Sequence, residues 1–225
     1  MPKKKTTASR AVATAKNTNL ARLPERIAIG DHEVRPEQLY IIKKRQPRGS
    51  GPWNDEKFDK VAWNDAQTGL DCILLRQASG VWGGFVAVPP GHPLYGYCED
   101  AIPAAIGLAP HGGIDYAEAC SRYEDEAVRV CHVHSRANAP QAEDQTEDNA
   151  WWFGFAADKR GDLVPSGAKP ILAREEGEIY RGIDYMYSET VQLARQLKAI
   201  DDSSIAKADP VLAPPPPRLG KPGGR

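Results

Sequence analysis

Long apolar runs are missing from this chain of 225 residues. The mean hydropathy is −0.52, and no stretch approaches the roughly 18–20 apolar residues that a membrane helix needs. A membrane role is therefore not expected. Lys3 to Lys5 resemble the start of a leader, but Thr6 to Asn19 is too polar to follow as its apolar segment. Cysteine is sparse. Cys72, Cys98, Cys120 and Cys131 form no Cys-x-x-Cys unit. With no leader in view, all four are expected to be reduced thiols in a cytoplasmic protein. Catalytic signatures are missing too: there is no Gly-x-Ser-x-Gly, phosphate loop, dinucleotide fingerprint or His-Glu-x-x-His. Cys131 precedes His132 directly, and neighbours on a strand point to opposite faces, so the two make no nucleophile–base dyad.

Net charge is nearly absent, at −1, but this conceals an uneven distribution. Residues 1–26 carry seven Lys/Arg and one Glu, and residues 203–225 carry four Lys/Arg and one Asp. The remaining 18 basic and 28 acidic residues make the middle strongly acidic. Such a core repels nucleic acid over most of its surface.

What is present begins with aromatics. Trp151, Trp152, Phe153 and Phe155 fall within five residues. Between the acidic Glu143–Asp148 and Lys159-Arg160-Gly161-Asp162, this run reads as a strand buried on both faces. Period two sends Trp151, Phe153 and Phe155 one way and Trp152, Gly154 and Ala156 the other. Ile27-Ala28-Ile29 and His32-Glu33-Val34 flank Gly30-Asp31 as a short hairpin. Residues 36–42 read either as a helix opened by Pro36 or as a strand over Leu39–Ile42. Leu70–Gln77 and Val81–Val88 form a second hairpin, with Gly83-Gly84 inviting a close approach of another backbone or a ligand. Ile114–Cys120 has no clear type, and Val128–His134 reads as a strand. Residues 178–200 read as a helix, with Ile179, Ile183, Met186, Thr190, Leu193, Leu197 and Ile200 as the stripe facing a sheet.

These elements predict an α+β fold: a largely antiparallel sheet with one long C-terminal helix on a face. The composition divides the chain into four parts. Residues 1–24 are expected to be a disordered basic tail, 25–52 a small appendage and linker, 53–202 the main domain, and 203–225 a Pro-rich disordered tail.

Candidate chemistry rests on histidine and glycine. His92 and His111 each adjoin glycine in a loop, and with Gly83, Gly84 and Gly112 they form the expected ligand-binding set. An imidazole both donates and accepts hydrogen bonds, which suits a small polar, nucleotide-like ligand. The alternative uses His132 and His134 at i, i+2 with His111 to hold zinc or another divalent metal for hydrolysis. In that case Asp115 or Asp158 are further candidate ligands. A second alternative is a structural protein acting through its tails.

One resemblance bears on these readings. The ordered series Trp82-Gly83-Gly84-Phe85-Val86, Gly91-His92-Pro93, His111-Gly112-Gly113, Cys131-His132 and Trp151-Trp152-Phe153-Gly154-Phe155, closed by Tyr180-Arg181, resembles a family of uncharacterised bacteriophage and prophage proteins. The likeness covers about residues 53–200. It implies a phage or mobile-element accessory protein in the cytoplasm of a bacterial host, and carries no activity with it. Members of that family place a Cys and a His soon after the Gly-Phe, where this chain has Ala157 and Lys159. That departure favours binding over metal-dependent catalysis. The expected partner is a small polar ligand or a host protein, with no cofactor.

Overall fold

The computed structural model describes residues 17–19, 23–120, 124–131, 149–165 and 177–208. In chain order the strands are β1 (Asn17–Asn19), β2 (Ile27–Ile29), β3 (His32–Val34), β4 (Gln38–Ile42), β5 (Lys60–Asn64), β6 (Asp71–Arg76), β7 (Trp82–Val88), β8 (Tyr116–Ala119) and β9 (Trp151–Ala156). Two helices follow, α1 (Ile183–Lys198) and α2 (Asp202–Ala208). Seven strands form one sheet in the order β1-β4-β5-β6-β7-β9-β8, every neighbouring pair antiparallel. β2 and β3 pair separately as the expected hairpin. This is the α+β arrangement predicted from the sequence, with the long helix laid on the sheet.

Period-two alternation builds two cores from one sheet. Val61, Leu74, Val86, Phe153 and Phe155 face α1, whose Met186, Leu193, Ala194 and Leu197 are buried against them. Ala62, Ile73, Phe85 and Trp152 point to the opposite side. The aromatic run is a strand with the predicted split, but it is not central. β9 lies second from one edge, and β6 occupies the middle. Gly83 and Gly84 serve packing within this frame. A Cβ on Gly84 would collide with Thr190 Oγ1 of α1 and lie 2.8 Å from the Phe155 ring. Hydrogen there lets the helix approach the sheet closely. A Cβ on Gly83 would lie 2.8 Å from Gln77 Nε2 and 3.0 Å from the Phe85 ring.

The second face is closed by the turn that follows Glu124. Ala127 and Val130 are buried there beside Trp152. Lys60, fully buried, donates from Nζ to the carbonyls of Glu126 (2.7 Å) and Arg129 (3.0 Å). Burial pushes its amine down to about 7.

Five expectations need correction. Residues 25–52 are not an appendage alone. β4 pairs with β5 in the main sheet, because Leu39, Tyr40 and Ile42 are all buried. Val128–Cys131 is turn and bend rather than strand, and His132 and His134 lie outside the described residues. The helix starts at Ile183, not 178. Before it, Ile179 makes a parallel bridge to Asp162 and is 55% exposed, so it leaves the stripe. Finally, Cys120 and Cys131 are joined by a disulfide, with Cα atoms 5.0 Å apart. Cys72 is a buried free thiol and Cys98 an exposed one. The start of the expected C-terminal tail is helical as far as Ala208; residues 1–16 and 209–225 lie outside the described residues.

Candidate functional site

The segment entering α1 places its side chains against two buried carboxylates. Tyr180 turns to Glu56, and Arg181 turns to Asp162. Glu56 accepts four hydrogen bonds: from Arg76 Nη2 (2.5 Å), Tyr180 Oη (2.7 Å), Trp82 Nε1 (3.0 Å) and the backbone N–H of Ile183 (2.9 Å). Gly182, the N-cap residue, has no side chain to cap the helix. Glu56 supplies the missing acceptor and sets a negative charge at the positive end of the helix dipole. Arg76 is 1% exposed. It also donates to Asp59 Oδ1 (2.8 Å) and Gly80 O (3.0 Å), and its guanidinium carbon lies 4.4 Å from the Trp82 ring. All of these partners are saturated, so this network holds the fold. A cleft of about 400 Å³ opens beside it, lined by Ile29, Pro52, Phe58, Tyr180, Ile183 and Asp184 among others.

The second carboxylate anchors a different arrangement. His111 Nε2 lies 2.6 Å from Asp162 Oδ2, and Nδ1 lies 3.0 Å from the hydroxyl of Tyr185 on the first turn of α1. Asp162 is fully buried and also accepts from Arg181 Nε (3.0 Å) and the Lys159 N–H (3.0 Å). Three donors converge on an acceptor-only carboxylate, so Nε2 of His111 carries its hydrogen. In the neutral ring Nδ1 then accepts from the Tyr185 hydroxyl. Arg181 lies 4.7 Å from the Tyr185 ring. Burial raises the Tyr185 phenol pKa, and Glu189 adds to this while Arg181 opposes it.

Lys159 closes the corner. It pairs with Asp115 and, at 3.0 Å, with Asp158. Burial works to lower its pKa, but these two carboxylates carry it above the ordinary lysine value. The side chain of Lys159 lies where a Cβ on Gly112 would project, and Gly112 has φ 71°. Gly112 is thus required twice, for its left-handed backbone and for the lysine above it.

The five expected ligand residues do not meet at one place. His111 and Gly112 belong to this corner. His92 lies at the other end of α1, where Nε2 is 2.9 Å from the Leu197 carbonyl and Nδ1 accepts from the Leu94 N–H (3.2 Å). Twelve positions separate Tyr185 from Leu197, about 18 Å of helix rise. His92 ties down the C-terminal turn of the helix, and burial lowers its pKa. Gly83 and Gly84 lie under side chains of the core. Asp115 and Asp158, raised as metal ligands, are both bound to Lys159. His111 could bind a metal only by giving up Asp162 or Tyr185. Among the described residues no three His, Cys, Asp or Glu side chains group as a metal site.

Sequence reasoning missed Asp162, Arg181 and Tyr185 as site residues. Asp162 sits after a glycine in a charged loop, a common surface pattern. Tyr185 stands off the apolar stripe of α1, a faint signal that it does something other than pack. No helix among the described residues is long and apolar enough to cross a membrane. Comparison of the chain with protein-family models, curated proteins and solved structures finds no match.

Proposed function

We propose that this chain is an accessory protein of the phage or mobile-element type that binds a small polar ligand at the His111 corner. The setting, and the cytoplasmic location that goes with it, rest on the motif resemblance alone. The observation that supports the binding reading is the rigid placement of His111 between a buried carboxylate and a phenol, with Arg181 beside both. A buried carboxylate that fixes an imidazole and a guanidinium together is a means of presenting polar groups at little entropic cost on binding. Among the described residues no hydrogen bond uses the two NH₂ groups of Arg181. They are suited to a carbonyl, carboxylate or phosphoryl oxygen.

The test is a thermal-shift screen of nucleotides, cyclic nucleotides and sugar phosphates against wild type, His111→Ala and His92→Ala. A ligand at 100 times its Kd stabilises by about 2.7 kcal/mol, a rise of several degrees in Tm. Wild type and His92→Ala should respond, and His111→Ala should not. A hit that shifts all three equally would place the ligand elsewhere. No hit at all would favour a host protein as the partner.

A further inference from the structure

We infer that Tyr185 is a nucleophile, activated by His111 and Asp162, that accepts an acyl group from an activated ester or thioester. The inference takes its substrate class from the binding reading above, since Arg181 beside Tyr185 is suited to an acyl oxygen. It adds a reaction that binding alone does not require. Carboxylate, imidazole and hydroxyl stand in line at 2.6 Å and 3.0 Å, contributed by three separate parts of the chain. Asp162 fixes the ring with Nε2–H toward itself, which leaves Nδ1 basic and aimed at the hydroxyl. This is the orienter–base–nucleophile relation on which hydroxyl activation depends. A half-buried tyrosine whose pKa is raised is not a resting phenolate, so the base has a purpose.

The step balances within the residues present. As Tyr185 Oη forms a bond to the acyl carbon, its proton passes to His111 Nδ1. The imidazolium is stabilised by Asp162, and developing charge on the phenol lies beside Arg181, 4.7 Å from the ring. The bond from the acyl carbon to the leaving group breaks, and the leaving group departs with the electron pair. His111 then gives its proton to the leaving group or to water. The product is an O-acyl tyrosine, an aryl ester that water can hydrolyse to return free Tyr185. Asp162 and His111 act through Tyr185, as positioning residue and base.

The probe is p-nitrophenyl acetate, followed by release of p-nitrophenolate and by acid-quenched peptide mapping. Tyr187, two residues along the same helix, is half-buried and packs on Trp63 and His32, so it serves as an internal reference. Acetyl should appear on Tyr185 roughly a hundredfold faster than on Tyr187, the scale of general-base assistance. Tyr185→Phe should abolish the burst of p-nitrophenolate, and Asp162→Asn and His111→Gln should slow it about as much. Equal labelling of the two tyrosines in wild type would overturn the inference, and needs no variant to fold. So would an undiminished burst in Tyr185→Phe, or in His111→Gln with an unchanged Tm. Labelling needs no cognate ligand, so a failed ligand screen and a failed labelling experiment are separate results.

Discussion

Glu56 contributes more than any exposed charge. Its side chain is 8% exposed, and it receives a guanidinium, a phenol, an indole and the first amide of α1. Removing it leaves Arg76, 1% exposed, with an uncompensated share of its charge, and leaves α1 without its cap. Glu56→Ala should cost about 3–5 kcal/mol, as breaking a buried pair does. Glu33→Ala removes an ion pair with Arg26 whose side chains are 65–68% exposed, and should leave stability close to that of the wild type. Urea denaturation of both variants checks the pair of values. Similar losses would mean that burial does not decide the energetics here. The charged partner of Glu56 was not legible in the sequence: Arg76 closes an apolar strand and reads as its polar end.

At the scale of elements, β2, β3, β6, β7 and β9 were legible, whereas β1, β5, β8 and the contacts between strands were not. The hairpins β2–β3 and β6–β7 follow from turn glycines between apolar runs, and the two-faced β9 from its clustered aromatics. The stripe of α1 was legible from Met186 to Leu197, but its start was not. An amphipathic pattern continues through Ile183 and Ile179 whether or not the backbone is helical, and the bridge between Ile179 and Asp162 overrides it. His92 and His111 look alike in sequence, each beside glycine in a loop. Only the course of α1 makes one a tether for the last turn and the other part of a relay. Gly84 gives the tightest test of the helix–sheet contact. Gly84→Ala drives a methyl into Thr190 and Phe155 and should cost about 1–3 kcal/mol, whereas Gly49→Ala, with nothing within 4 Å, should show only the smaller effect of its positive φ. Equal losses in chemical denaturation would show that α1 does not approach β7 as closely as described.

For the whole molecule, the disulfide matters most. It closes a segment of sequence separation 11 across the second face of the sheet, and a loop of that size stabilises by about 3 kcal/mol in the chain-entropy account. Denatured protein prepared without reductant should titrate two thiols, Cys72 and Cys98, and the reduced protein all four. Reduction should lower the free energy of unfolding by about that amount. Four thiols without reductant would restore the reduced reading that composition favoured. A further consequence follows from how α1 is held. Its first amide reaches back 127 positions to Glu56, and its last turn reaches back 105 to His92. β4 to β7, by contrast, pair in sequence order as a meander, with short connections from β5 to β7. During synthesis the meander is complete long before α1 leaves the ribosome. Until then Leu74, Val86 and their neighbours lack the cover that Met186, Leu193 and Leu197 give them, so the nascent chain carries an incompletely covered apolar sheet while residues 89–182 are made and depends on α1 to bury it.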